Sequence, residues 1–186
     1  MLLILGWIVF VLLTLVLIGM TLYVLGLLIS PLFGAPFVPS RVASVEDMLR
    51  LADVKPGMRT ADLGSGDGRI VCAFAQKGAY AIGYEINPLL VWFSRLKMGS
   101  GRFRGSARAL CSDFMRQDLS GYDVITAYLM PQFMVRLEPK LLRELKPGSR
   151  VISNSFIFPN WKPVMSEGHL HVYEKTLDQR ISTNDS

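Results

Sequence analysis

Ala61-Asp62-Leu63-Gly64-Ser65-Gly66-Asp67-Gly68-Arg69-Ile70 is the stretch on which the fold turns. Residues 59–63 read as a strand and run straight into a helical pattern over 68–77. Three glycines at alternate positions let the backbone turn tightly and let a ligand approach where a Cβ would stand in the way. The helix that follows offers free N–H groups to a carboxylate or a phosphate. Nicotinamide and flavin sites use a similar turn, so the glycines alone leave the class open. Two details narrow it. The spacing is G-x-G-x-G, one residue shorter than the dinucleotide fingerprint G-x-G-x-x-G, and Asp62 stands two places before the first glycine.

Working outward, strand and helix patterns alternate. A second strand covers 80–85, and a helix follows over 87–98 with Asn87 as N-cap and Pro88 in its first turn. Strands three and four fall at 107–112 and 122–129. The segment 131–145 is amphipathic, with Phe133, Met134, Leu137, Leu141 and Leu145 on one side. Strands five and six fall at 150–156 and 169–176. Upstream, Ser44-Val-Glu-Asp47 reads as a capping box opening a helix to about Ala52, with Val45, Met48, Leu49 and Ala52 as its apolar stripe. The alternation predicts an α/β fold: a Rossmann-like, doubly wound sheet of about six mostly parallel strands.

The next acidic residues extend the site. Glu85 ends strand two, where a carboxylate can accept both hydroxyls of a ribose. Asp113 ends strand three and is followed by Phe114, a pair suited to an adenine amino group and its ring face. Singly, each acid is an ordinary loop carboxylate or cap. Jointly, Asp62, Glu85 and Asp113 line the crevice where open α/β sheets bind ligands. The arrangement resembles the class I S-adenosylmethionine-dependent methyltransferases. That resemblance implies S-adenosyl-L-methionine as cofactor. It places Gly64, Gly66 and Gly68 beside the methionine part, Glu85 at the ribose and Asp113 with Phe114 at the adenine, and it counts Asp62, Ser65 and Asn87 among the cofactor-binding residues.

A narrower resemblance rests on four elements. They are Pro36-Phe37-Val38-Pro39-Ser40, the glycine stretch through Val71, Gly83-Tyr-Glu-Ile-Asn-Pro-Leu-Leu-Val-Trp-Phe-Ser-Arg95, and Phe156-Ile-Phe-Pro-Asn-Trp161. Together they look like the small membrane-associated lysine methyltransferases that modify the ATP synthase c-subunit and the adenine nucleotide translocase, and their prokaryotic relatives. The resemblance implies a protein substrate with an accessible lysine, in or beside a membrane. It also makes Pro36, Phe37, Val38 and Pro39 part of a segment preceding the core and needed for activity.

The N-terminus supplies the membrane. No Asp, Glu, Lys, Arg or His occurs before Arg41, and residues 2–29 are apolar apart from two threonines. A helix that long exceeds the roughly 30 Å hydrocarbon thickness, so one transmembrane anchor is expected over 1–29. A cleaved signal peptide fits poorly, for want of a basic n-region and because the apolar run is too long. Pro31, Pro36 and Pro39 forbid a continuing helix and predict an extended linker over 30–43. The methyltransferase domain is expected over 44–178 and a flexible tail over 179–186. Arg41 and Arg50 follow the span and none precedes it, which leaves the domain cytoplasmic. With no Arg-rich presequence, the expected location is the plasma membrane of a bacterium or archaeon.

Charge excludes less than it suggests. The net charge of +5, all of it after position 40, is a mild bias toward anionic surfaces. Two cysteines exclude a disulfide framework and a Cys-rich zinc module. His169 and His171 share a strand face without a third ligand, so no metal is expected. Cys72 and Cys111 read as core. Tyr128, Gln132 and Asn154 follow strands four and five at the sheet edge where the methyl should emerge, as substrate-positioning residues or as ordinary loop polarity. Trp161 is an aromatic wall for a methylated ammonium or a packing residue. Tyr128-Leu-Met-Pro131 occupies the place where amino-methylating nucleic-acid enzymes carry Asn/Asp-Pro-Pro-Tyr/Phe, which counts against a nucleic-acid partner. Arg95, Lys97, Arg102, Arg104 and Arg108 form a basic run that is either solvated or set against anionic headgroups. The alternatives to lysine methylation are methylation of a lipid, quinone or other small amphiphile, and a non-catalytic cofactor-binding module.

Overall fold

The computed structural model describes residues 2–33 and 42–179. The chain divides into two compact units, Met1–Phe37 and Val38–Ser186. Pro36, Phe37, Val38 and Pro39 lie outside the described residues, as does 180–186.

The first unit is built on one helix, α1 (Leu2–Phe33). Its segment Ile4–Leu25 is long and apolar enough to cross a membrane, and every side chain along it is exposed. The hydroxyls of Thr14 and Thr21 donate to the carbonyls of Phe10 and Leu17 at 2.9 and 2.8 Å, so the helix satisfies these polar groups itself. The helix continues past residue 29 and through Pro31, ending two residues later. A proline costs a hydrogen bond, but a helix about to terminate has few left to lose.

The second unit opens with α2 (Val42–Ala52), which starts two residues before the expected Ser44 and so places Ser44 inside the helix rather than at its cap. Then come β1 (Arg59–Leu63), α3 (Arg69–Gln76), β2 (Tyr80–Glu85), α4 (Pro88–Ser100), β3 (Ser106–Cys111) and a 3₁₀ turn (Phe114–Arg116). The chain continues through β4 (Val124–Ala127), α5 (Pro131–Glu144), β5 (Arg150–Asn154), β6 (Met165–Glu167) and β7 (Leu170–Glu174). The strands form one sheet in the order β3-β2-β1-β4-β5-β7-β6. All neighbours are parallel except at β7, which runs antiparallel to β5 and β6.

The sheet has seven strands where the sequence suggested about six. The extra one, β6, is three residues long and exposed throughout, so no apolar alternation marked it. Gly168, at φ +58°, turns it back into β7.

Side chains alternate between two cores. On one face α2, α3 and α4 pack Met48, Phe74, Val91 and Met98 against Ala81, Ile152 and Val172 of the sheet. On the other, Met134, Leu137 and Leu141 of α5 meet Leu63, Tyr84, Val151 and Tyr173. Covered on both faces, β4 and most of β1 are buried end to end. Cys72 is buried as expected, whereas Cys111 is exposed, because it ends a strand that has a neighbour on one side only.

Candidate active site

Three backbone N–H groups of the glycine turn donate to β2, and a fourth, beyond β2, shares its terminal carboxylate. The N–H groups of Gly64 and Ser65 donate to the carbonyl of Tyr84 at 2.9 and 3.0 Å. The Gly66 N–H donates to Oε2 of Glu85 at 2.9 Å, and the Asn87 N–H donates to its Oε1 at 2.8 Å. Both oxygens of Glu85 are thereby fixed at the C-terminal end of β2, and each keeps a lone pair for a further donor. A vicinal diol is the ligand that suits such a carboxylate.

Gly68 shows why the turn demands glycine. Its φ is +74°, and a Cβ there would stand 2.9 Å from Ser94 Oγ and 2.9 Å from Met98 Cε. Helix α4 therefore presses directly on the turn, and Ser94 Oγ donates to the Gly66 carbonyl at 2.9 Å. Asp67 adds an ionic tie, with Arg69 at 2.9 Å and Lys97 at 2.7 Å. Burial would raise its carboxyl, but those two cations outweigh it and hold Asp67 at about 2. Lys97 is thus not part of a free basic run.

Asp62 lies in register with Gly83 on one side and Thr126 on the other. It is 5% exposed and accepts a 2.7 Å hydrogen bond from Thr126 Oγ1. Burial pushes its carboxyl up to about 7; the Thr126 bond works against this, and the nearby Glu85 carboxylate adds to it. A buried carboxyl poised near neutrality, beside a glycine turn, is suited to meet a cationic ligand.

The remaining expected residues distribute unevenly. Asn87 caps α4, its Oδ1 accepting from the Leu89 N–H at 3.0 Å. Asp113 sits two residues beyond β3 and caps the 3₁₀ turn through the Met115 N–H at 2.9 Å. Phe114 is half-buried and packs against the core on the α5 face of the sheet. Ser65 turns its hydroxyl inward, so that a Cβ on Gly83 would come within 2.5 Å of Oγ; that oxygen is buried without a partner among the described residues. Its side chain therefore packs closely over Gly83 of β2.

Tyr128 is half-buried just after β4, Gln132 is exposed in the first turn of α5, and Asn154 is the last, buried residue of β5. All three share the sheet edge that carries Glu85. Trp161 is 3% exposed, stacked 5.6 Å from Phe158 and tilted 5.3 Å from Tyr173. The aromatic-wall expectation gives way to packing, because both neighbours already cover the indole. Its segment is pinned by the Phe158 N–H on the Tyr173 hydroxyl at 3.1 Å and the Asn160 N–H on Glu138 at 3.0 Å. Thr126, Ser94 and Asp67 were missed by the sequence reading, since each acts through a strand register or a helix approach that no local motif spells.

A sheet ordered 3-2-1-4-5-7-6 with one reversed strand, and a glycine turn braced by an acidic residue at the end of β2, define a methyltransferase fold. Residues 62–165 match the ANTKMT methyltransferase domain, and the chain belongs to that family. It is 43% identical over 135 residues to the ATP synthase C-subunit lysine N-methyltransferase of Homo sapiens, covering 72% of this chain and 58% of that protein. The chain thus spans a little over half the length of that relative. A protein-lysine N-methyltransferase of Saccharolobus islandicus is 35% identical over 130 residues, covering 69% of this chain and 81% of its own length. Among solved structures, an RNA methyltransferase from Salinibacter ruber in complex with S-adenosyl-L-homocysteine superimposes with a TM-score of 0.72 at 35% identity, covering 79% of this chain and 98% of that one.

Proposed function

We propose that this chain transfers the methyl group of S-adenosyl-L-methionine to a lysine Nζ of a protein in or beside a membrane, with α1 as its anchor. The observation that carries the cofactor assignment is Glu85, whose two oxygens are oriented by the Gly66 and Asn87 N–H groups while retaining acceptor capacity for a ribose. The relatives named for lysine methylation, in human and in an archaeon, support the acceptor.

When bound, S-adenosyl-L-methionine supplies an electrophilic methyl on a sulfonium. Gly64, Gly66 and Gly68 leave room for its close approach, Asp62 offers a carboxylate to its positive charge, Glu85 takes the ribose, and Asp113 with Phe114 take the adenine. Tyr128, Gln132 and Asn154 position the acceptor at the same sheet edge. A lysine must arrive deprotonated, against a free pKa near 10.4. A dry site next to a positive charge disfavours its ammonium form, so orientation and exclusion of water suffice without a dedicated base. The anchor raises the effective concentration of membrane-borne acceptors, and Arg41 and Arg50 favour a cytoplasmic domain at a plasma membrane.

Incubating the purified chain with radiolabelled S-adenosyl-L-methionine, native membranes and total RNA tests the reading. Label in a membrane protein band, recovered as methyl-lysine after hydrolysis and abolished by Asp62→Ala, is the expected result. Label in the lipid extract or in RNA would replace the acceptor, and no label anywhere would remove the activity.

A further inference from the structure

Helix α4 is apolar on the wrong side. It buries Val91, Ser94 and Met98 against the sheet. On its solvent side Leu89, Trp92, Phe93 and Leu96 follow the i, i+3, i+4, i+7 spacing of a single stripe, and they are 62, 55, 55 and 54% exposed. The rings of Trp92 and Phe93 meet edge-on at 4.9 Å, so the stripe presents a continuous aromatic surface. Solitary exposed apolar residues need no explanation, whereas a helical stripe of four does.

The surroundings of the stripe are basic. Arg102, Arg104 and Arg108 are exposed, and neither they nor Arg95 makes an ion pair among the described residues. No Asp or Glu occurs between Glu85 and Asp113 to neutralise them. Arg95 is tied to the edge strand, its Nε donating to the Ala109 carbonyl at 3.0 Å. Beside it lies a groove of about 410 Å³ lined by Arg95, Met98, Gly99, Arg108, Ala109 and Leu110. Two guanidiniums over an apolar floor form a receptor for a phosphate carried on a hydrocarbon body.

We propose that the α4 stripe and the β3 edge dock on a bilayer surface bearing anionic headgroups, with Leu89, Trp92, Phe93 and Leu96 entering the headgroup boundary and the arginines held by phosphates. Charge complementarity selects this occupant. A second copy of the same face would set arginine against arginine, and a nucleic acid could stack bases on Trp92 and Phe93 but would leave the exposed Leu89 and Leu96 without an apolar partner, which acyl chains supply. Aromatic and aliphatic groups on one side with arginines beside them are the composition of an interfacial helix. The inference does not depend on methyl transfer, and it makes the second unit a membrane-surface reader in its own right.

Trp92 is its own probe, because the full chain has only two other tryptophans, Trp7 and Trp161. The signal of Trp92 is isolated as the difference between the full chain and its Trp92→Phe variant, each reconstituted in vesicles. Vesicles of phosphatidylcholine mixed with phosphatidylglycerol, with brominated acyl chains, should quench it, and phosphatidylcholine alone should leave it open to aqueous iodide. The quenching should be lost in the Arg102→Glu/Arg104→Glu/Arg108→Glu variant and in the Phe93→Ser/Leu96→Ser variant. All five side chains are exposed, so both variants should melt with the parent. Iodide access in both vesicle types would overturn the proposal. So would lipid quenching indifferent to the arginines, or shielding of Trp92 that coincides with cross-linking to a second copy or another protein.

Discussion

Asp62 accepts its hydrogen bond from Thr126 near the C-terminal end of β1, in a place where burial lifts its carboxyl from 3.8 to about 7. Between those two values the folded chain holds a proton that the unfolded chain has released. Stability therefore falls as pH rises through that window, by on the order of 4 kcal/mol, and levels off above it. Asp62→Asn keeps the acceptor for Thr126 and removes the titration. The variant should gain on the parent as the pH rises from 5 to 8, in thermal melts of the full chain in detergent; a gap that stays constant with pH would show that Asp62 titrates normally. Gly68 makes a complementary case. Gly68→Ala combines a left-handed backbone with a Cβ driven against Ser94 and Met98, and should cost roughly 2–4 kcal/mol. Gly57→Ala, at φ +85° with open space around it, carries the backbone penalty alone and should cost about half as much or less. Equal losses would mean that α4 yields freely at the turn.

Between elements, a buried polar pair inside an apolar layer makes a coupling that can be tested. The hydroxyls of Tyr84 on β2 and Tyr122 just before β4 meet at 2.7 Å, with the rings at right angles. Burial and the bond to Tyr84 together raise the Tyr122 phenol, so the pair stays neutral and hydrogen-bonded. Removing one hydroxyl strands the other: Tyr122→Phe should cost about 1–3 kcal/mol, while Tyr84→Phe with Tyr122→Phe should recover much of that. A double variant as unstable as the sum of the singles would refute the coupling. The strands β1 and β2 were legible to the residue, because Pro56-Gly57 and Gly78 precede them and Gly64 and Asn87-Pro88 follow them. The cap of α4 was legible too, since Asn87-Pro88 is a local signal. What sequence could not supply was register. Nothing in Thr126 says that β4 will lie against β1 and bring its hydroxyl to Asp62, and nothing in Ser94 says that it will face Gly66. Trp161 was ambiguous for a related reason: a tryptophan packs or projects according to partners that come from Phe158 and, across the sheet, from Tyr173.

At the level of the whole molecule, one apolar helix and one α/β unit must act together if the acceptor lives in a bilayer. The proposed anchor makes that dependence measurable. Arginine near the centre of a membrane span costs about 2.5–3.5 kcal/mol per residue. Leu13 and Leu17 lie one helical turn apart within the exposed apolar segment Ile4–Leu25. The full chain should remain with membranes through an alkaline carbonate wash, and Leu13→Arg with Leu17→Arg should release it. Loss of the tether removes effective concentration and leaves the crevice intact. The variant should therefore methylate its acceptor in intact membranes less efficiently, by a factor in the range of about 10²–10⁴, and methylate the same acceptor in detergent at the parental rate. A variant released by the wash that still labelled membranes at full rate would show that α1 is not what brings enzyme and acceptor together. Capture would then have to reside in the second unit, where the α4 stripe and its arginines are the surface built for it.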